Sequence, residues 1–352
     1  MTSIKNIQTA QAPFRHNQLD IIQFMQHFYN FDAVELRKVN WLYRQSGIKY
    51  RYSVLPDFTQ GEEALLFREK SHEVGIEQRL EVYNQAAYEM SLNLLQGYAK
   101  EDLQSVTHLI TVSCTGITAP GLELRILEHL QIEASQRAIN FMGCYAAIHA
   151  MKQSQEICAL HKDAKVLVVD IELCTLHFQY STQPDLVNSA MIFGDGGVSW
   201  MVENDTANEL EIVGSYNKVL HNDKDKMAWF PSATGFLMQL SSYIPQVIGD
   251  NIKSLITDAI SHYKIKDFSK VTWCVHPGGL KILDKIVAAM ELEKDNLISS
   301  YEILSEYGNM SSPTVMYVLQ RLQEKNRIPK GNQVLMLAFG PGLSIETTLL
   351  QA

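Results

Sequence analysis

The sequence predicts an α/β protein of stacked layers, built from two similar halves. Three observations carry this. Lys165–Ile171 and Gln333–Phe339 are near-continuous apolar runs, the pattern of strands buried on both faces. Such runs alternate with stretches of helical spacing, which implies sheets covered by helices. The order of parts also repeats: strand, polar loop, helix, a chemically distinctive residue at a helix start, strand, strand. Cys114 to Cys144 spans 30 positions and His276 to Asn309 spans 33, as a duplication would leave them. The polar stretch around Asn204 to Asn208 is the natural boundary, giving halves 1–205 and 206–352.

Composition narrows the function classes. The chain has 352 residues, 46% hydrophobic and 20% charged, enough for one large core or two fused ones. A net charge of -9 argues against nucleic acid as the main partner. It leaves room for an anionic small molecule held by a local basic patch. No apolar run is long enough to span a bilayer, and Met1–Asn6 lacks the pattern of a signal peptide. The five cysteines are odd in number, with no C-x-x-C pair. That argues against a disulfide framework or a zinc site and fits a reducing cytoplasm.

In chain order, residues 1–60 read as helix and loop, with amphipathic helices from Asp20 to Phe31 and from Ala33 to Ser46. The second leads into a basic cluster, Arg44, Lys49 and Arg51, flanked by Tyr43, Tyr50 and Tyr52. It is either a solvated face or a dock for phosphates, where Arg and Lys act as paired donors. Ile76 to Tyr98 is a long helix with Leu80, Tyr83, Ala87, Met90 and Leu94 on one face. His108–Cys114 is a strand and Gly121–Leu130 a helix. Gly194-Asp195-Gly196-Gly197 lacks the lysine and following helix of a phosphate loop and reads as a tight turn before a strand over Val198–Val202. In the second half, Val271–Val275 is a strand and Leu280–Met290 a helix. Ser312 fits an N-cap and Pro313 the first helical position. Leu343–Leu350 is the last strand.

The chemistry centres on Ala138-Ile139-Asn140-Phe141-Met142-Gly143-Cys144-Tyr145-Ala146-Ala147. A strand-like run meets a glycine, then the cysteine, then a run with helical spacing. A helix start favours a thiolate through its unpaired N–H groups and positive dipole end. Free cysteine is also among the most buried residue types, so a packed thiol is the competing reading. If the halves pack as duplicates, their loop ends meet at one face and bring Cys144 to His276 and Asn309. The histidine can hold Cys144 as a thiolate through an ion pair. His276 and Asn309 can both donate to a developing oxyanion or enolate. No acidic residue stands out as a general base, which suggests a carbanion formed by loss of CO2 rather than of a proton.

Five stretches, in order, carry a family resemblance: Phe141-Met142-Gly143-Cys144, Phe193-Gly194-Asp195-Gly196, His276-Pro277-Gly278-Gly279-Leu280-Lys281-Ile282-Leu283, Tyr307-Gly308-Asn309-Met310-Ser311-Ser312, and Phe339-Gly340-Pro341-Gly342-Leu343-Ser344-Ile345-Glu346-Thr347. From about Gln18 to Thr348 the chain resembles the type III polyketide synthases, the chalcone and stilbene synthase family. The resemblance implies a thiolase-like fold with a layered αβαβα core and a homodimer. It implies an acyltransferase that loads an acyl-CoA starter, decarboxylates malonyl-CoA, extends by Claisen condensation and cyclises the product. CoA thioesters serve as substrates, with no other cofactor. The family's catalytic residues fall on Cys144, His276 and Asn309, and its gatekeeper phenylalanine on Phe193.

Other positions depart from the plant pattern. A CoA-phosphate lysine falls on Lys38, but the following arginine falls on Trp41, leaving Arg44 as the substitute cation. Three cavity threonines fall on Cys114, Cys174 and His177, a second gating phenylalanine on Met238, and a cavity glycine near Trp229. Gly278 and Ser311 complete the implied substrate-contacting set. This cavity differs from that of a plant chalcone synthase. Its cysteines look more like those of bacterial members that make tetrahydroxynaphthalene, resorcinols or pyrones. The nearest rival reading is a 3-oxoacyl-carrier-protein synthase III-like enzyme, which shares Cys, His and Asn but has His-Gln-Ala-Asn where this chain has His-Pro-Gly-Gly. An inactive partner subunit of a thiolase-fold dimer is the non-enzymatic rival.

Overall fold

The computed structural model describes residues 1–29, 31–58, 64–67, 74–181, 183–204 and 210–352. The first half runs β1 (Thr2–Gln11), β2 (Phe14–Asn17), α1 (Gln18–Phe28), α2 (Ala33–Arg44), β3 (Tyr50–Ser53), α3 (Ile76–Leu95), α4 (Lys100–Gln104), β4 (His108–Ser113), α5 (Leu122–Leu130), β5 (Ser135–Asn140), α6 (Ala146–Leu160), β6 (Lys165–Leu173), α7 (Pro184–Ile192) and β7 (Asp195–Asn204). The second runs β8 (Leu210–Val219), β9 (Met227–Ser232), β10 (Gly235–Leu240), α8 (Ile244–Tyr263), β11 (Val271–Val275), α9 (Leu280–Ala289), α10 (Ile298–Tyr307), α11 (Pro313–Glu324), β12 (Gln333–Gly340) and β13 (Ser344–Gln351).

Nine strands hydrogen-bond in the order β11-β12-β13-β8-β1-β7-β6-β4-β5. The pairing carries the duplication. β4 runs parallel to β6, β6 antiparallel to β7, and β7 antiparallel to β1. Likewise β11 runs parallel to β12, β12 antiparallel to β13, and β13 antiparallel to β8. The two sets join where Ser3 and Ile4 of β1 pair with Glu211 and Leu210 of β8. β5 is an additional strand at one end.

The period-2 alternation of each strand sorts side chains into separate cores. Along β6, Leu167, Val169, Ile171 and Leu173 pack outward against the layer of α3 and α5. Val166 and Val168 point inward to a central layer made of α6 and α11. In the second half, Leu335, Leu337 and Phe339 of β12 face α8 and α9, whereas Val334, Met336 and Ala338 face the same central layer. The result is the αβαβα stack. Because α6 and α11 occupy equivalent places in it, their N-termini lie at one end of the molecule.

Three local readings differ from this structure. The first residues form a strand, β1, in the middle of the sheet. Its apolar positions, Ile4, Ile7 and Ala10, do not alternate, because the register shifts between Lys5 and Gln8 around Asn6 at φ 50°. The pattern that marks a strand is broken by that bulge. Gly194–Gly197 is no tight turn: Asp195, Gly196 and Gly197 already pair with β6, and a side chain at Gly196 would collide with Met310. Ser312 does sit at the N-cap of α11, but its hydroxyl donates to Asp170 rather than capping the helix. The 205/206 boundary falls outside the described residues.

Trp200 of β7 is fully buried in the central layer. Trp200→Ala leaves a large void there and is expected to cost about 3–5 kcal/mol, measured by urea denaturation. A loss well below that would mean the layer collapses around the void.

Candidate active site

Cys144 lies between the end of β5 and the start of α6, whose N-cap is Tyr145. The chain turns there through two left-handed residues, Phe141 at φ 58° and Gly143 at φ 80°. Gly143 is the only residue type that fits, because a Cβ would run into the Pro341 ring. Its N–H donates to Cys114 Sγ at 2.9 Å. Cys144 is 7% exposed. Burial pushes its thiol up to about 12, and contacts to Ser311 and Asn309 offset only part of that. Desolvation thus opposes the thiolate expected at this helix start.

Asn309 stands before α11, in the place equivalent to that of Cys144 before α6. Its Oδ1 accepts from Ser311 N at 2.8 Å and Thr314 Oγ1 at 3.4 Å. That leaves the amide to point the other way, with Nδ2 at 4.0 Å from Cys144 Sγ and 3.4 Å from Gly278 O. The backbone of Asn309 forms an isolated bridge with Phe193. Gly194 N donates to Asn309 O at 2.9 Å, and Asn309 N to Ile192 O at 3.0 Å. So the loops carrying Phe193 and Asn309 are joined directly.

His276 follows β11 and extends its parallel pairing, with its N–H on Leu337 O at 2.8 Å. Its ring is 1% exposed, and neither nitrogen has a hydrogen-bond partner among the described residues. Burial pulls the imidazole down to about 3, so it is neutral. Burial thus disfavours the charged form of both groups of the expected ion pair.

Two carboxyl groups lie next to this end of the molecule. Asp170 and Glu172 are two apart on β6 and share its central face. Both are fully buried. Glu172 accepts from Cys114 N at 2.9 Å, Thr115 Oγ1 at 2.8 Å, and Ser311 and Ser312 Oγ at 3.3 Å. Ser312 Oγ also donates to Asp170 Oδ1 at 2.7 Å. Burial raises both pKa values, that of Asp170 further because Glu172 is its neighbour. Sequence reasoning passed over this pair. The available signal was two acids at alternate positions of an otherwise apolar strand.

The description "Chalcone and stilbene synthases" fits both parts of the chain, the N-terminal domain over residues 15–206 and the C-terminal domain over 211–352. The chain belongs to this family. Type III polyketide synthase A of Arabidopsis thaliana is 29% identical over 91% of the chain and 85% of its own length. Polyketide synthase 37 of Dictyostelium discoideum is 28% identical over 99% of the chain, which spans only 12% of that relative's length. Among solved structures, PKS-I from the brown alga Ectocarpus siliculosus superposes with a TM-score of 0.92 at 24% identity, over 99% of this chain and 98% of that one. The family assignment removes the reading as a fatty-acid condensing enzyme.

The positions that the chalcone and stilbene synthase pattern singles out fall mostly in one place. Cys144, His276, Asn309 and Phe193 line a single cavity of about 230 Å3. Cys114, Cys174, His177, Trp229 and Met238 line it too, as do Gly278 and Ser311. His177 is a wall rather than a polar contact. Its Nδ1 accepts from Phe236 N at 3.0 Å, its Nε2 donates to Thr115 O at 2.8 Å, and its ring stacks on Phe236 at 4.3 Å. Trp229 is pinned by its Nε1 donating to Cys114 O at 2.6 Å. β9 and β10 pair as a separate two-stranded sheet and bring Trp229 and Met238 to the cavity.

The basic positions separate. Lys38 and Arg44 are exposed on α2 and do not line the cavity. Lys38 borders a surface depression with Arg37, Val34, Trp41 and Leu42, and the last two also border the cavity. Arg51, grouped by sequence with the phosphate dock, is 3% exposed and lies inside the protein. Only alternation along β3 (Arg51 and Ser53 in, Tyr50 and Tyr52 half out) could have separated it from its neighbours. Lys281, in the cavity lining and exposed, is a further cation that sequence reasoning quoted without assigning.

A buried acid with a raised pKa adds stability below the ordinary carboxylate range and loses it as pH rises through the raised value. Asp170→Asn removes one such group. Relative to the parent, the variant should gain ~1 kcal/mol per pH unit while the pH lies between the ordinary and the raised value, read from urea denaturation at pH 5 and pH 8. A parallel pH dependence would mean that the pKa of the Asp170 carboxyl is not raised in the folded state.

Proposed function

We propose that this chain is a type III polyketide synthase that builds a polyketide on Cys144 from an acyl-CoA starter and malonyl-CoA. The observation that carries the reading is the Asn309 amide. With Oδ1 engaged by its own loop, Nδ2 points the other way, toward Gly278 O and Cys144 Sγ, in a cavity that His276 shares.

Loading begins from the neutral pair. As the starter thioester enters, the Cys144 proton passes to His276, the sulfur attacks the carbonyl, and CoA leaves as the thiol after taking that proton back. Malonyl-CoA then loses CO2. The electron pair of the broken C–C bond goes into the thioester enolate, whose oxygen accepts hydrogen bonds from His276 and Asn309 Nδ2. Phe193 offers the departing carboxylate an apolar face, where the charged form is disfavoured. The enolate carbon attacks the acyl group on Cys144 and releases the sulfur, leaving a β-keto thioester on CoA. Reloading on Cys144 repeats the cycle until the chain cyclises. The chemistry needs only CoA thioesters.

Assembly and location follow the same reading. β5 has a partner on one side only, β4, and most of its residues are exposed. Ile117 and Leu124, both exposed, are further apolar residues of the β4–β5 segment. A second copy pairing along this edge gives the homodimer. No helix among the described residues is long and apolar enough to cross a membrane. The five free cysteines suit the cytoplasm.

Two experiments test the proposal. In the first, acetyl-CoA release from malonyl-CoA and the mass of the acyl-enzyme are measured for three variants. Cys144→Ala should abolish polyketide formation yet still decarboxylate. His276→Ala should lose both. Asn309→Ala should accept a starter on Cys144 but decarboxylate ~10²–10³-fold more slowly. Parental decarboxylation by Asn309→Ala reduces the constellation to a Cys–His pair.

The second concerns capture of the CoA phosphates. Lys38→Glu should raise KM for malonyl-CoA, and more so at low ionic strength, because exposed charges are screened by salt. An unchanged KM moves the phosphate contact away from α2.

A further inference from the structure

The first four amides and last four carbonyls of a helix lack partners within it. At the C-terminal end of α7, the four consecutive carbonyls from Ala190 to Phe193 are all satisfied from outside. Arg51 Nη1 donates to Ala190 O at 2.7 Å and to Phe193 O at 2.5 Å. Gln18 Nε2 donates to Met191 O at 2.9 Å. Asn309 N donates to Ile192 O at 3.0 Å. Arg51 itself is held by its Nε donating to Gln18 Oε1 at 2.9 Å. The end of α7 is therefore bound by three residues from distant parts of the chain, two of them coupled to each other and the third the candidate enolate donor.

We infer that Arg51 is a positioning residue that sets Phe193 and Asn309 in register across the cavity. A guanidinium suits the task because its rigid fork reaches several acceptors, and a cation at a helix C-terminus meets the negative end of the dipole. The packing leaves it little freedom. Gly308, at φ 71°, passes so close that a Cβ there would lie 2.9 Å from Arg51 Cγ, and one at Gly194 would lie 3.4 Å from Arg51 Cβ. Glycines thus flank the guanidinium stem on both segments that the Phe193–Asn309 bridge joins. If Arg51 lets go, α7 loses two of its four terminal contacts, and the bridge that aligns Phe193 with Asn309 loses its backing. A lysine cannot replace it, since one ammonium cannot reach Gln18, Ala190 and Phe193 together.

This inference rests on the polyketide synthase reading for its kinetic consequence but not for its structural one, so the test has two readouts. The first is hydrogen exchange at the amides of Gly194 and Asn309, which bond across the bridge. In Arg51→Met both should exchange at least about tenfold faster, as local opening needs less free energy, while central-layer amides stay protected. The second is kinetic. Malonyl-CoA decarboxylation should fall roughly 10²-fold in kcat, the scale of a small misplacement, with KM for malonyl-CoA unchanged and starter loading retained. Arg51→Lys should behave like Arg51→Met. If Arg51→Met does not fold, Gln18→Leu, which frees Arg51 Nε, should move exchange and kcat in the same direction by less. Parental exchange at Gly194 and Asn309 overturns the inference, and so does a raised KM with kcat intact, which would make Arg51 a substrate contact. A parent enzyme that fails to decarboxylate malonyl-CoA overturns the functional reading, while the exchange result still decides the role of Arg51.

Discussion

The structure depends on the burial of α6 and α11 between two sets of strands. A helix pair sealed on both sides has nowhere to send its unpaired N-terminal amides except to one end of the stack. The duplication puts both N-termini at that end, one carrying Cys144 and the other Asn309. Most of the buried polar groups there satisfy each other. Glu172 takes the Cys114 amide and the Thr115 hydroxyl, Ser312 bridges to Asp170, and Asn309 caps its own loop. The same constraint that stabilises the core aims the side chains into the cavity.

It also sets their charge. A helix N-terminus ordinarily lowers a thiol pKa, yet here the cost of removing a sulfur anion from water is larger. Burial disfavours the charged form of both thiol and imidazole.

Much of this was legible in the residues, for reasons that differ along the chain. The strands at Lys165 and Gln333 could be read because burial on both faces requires continuous apolar runs. The meeting of Cys144, His276 and Asn309 followed from the repeated order of parts. The desolvation that opposes a thiolate at Cys144 was not legible, because sequence shows the helix start but not the depth at which it is buried. Arg51 was placed with Arg44 and Lys49 because charge type says nothing of direction. On β3 a single step along the strand turns a side chain from solvent to interior. The strand at Thr2–Gln11 was hidden by a bulge, and the acids of β6 by being only two residues in an apolar run.

The position of β1 bears on how the chain reaches this state. Thr2 pairs with Asn204, and Ile4 with both Val202 and Leu210. Side chains of α11 also bind β1, with Tyr317 donating to Ala10 O and Gln320 to Ile7 O. During synthesis β1 therefore waits for partners made some two hundred residues later, and for a helix made later still. Such non-local pairing slows folding, and an unpaired strand is an open template for wrong contacts meanwhile. The broken alternation of Thr2–Gln11, polar at most positions and bulged at Asn6, makes it a poor template for any strand but its own. What obscured β1 as a strand in the sequence thus protects the nascent chain from aggregation.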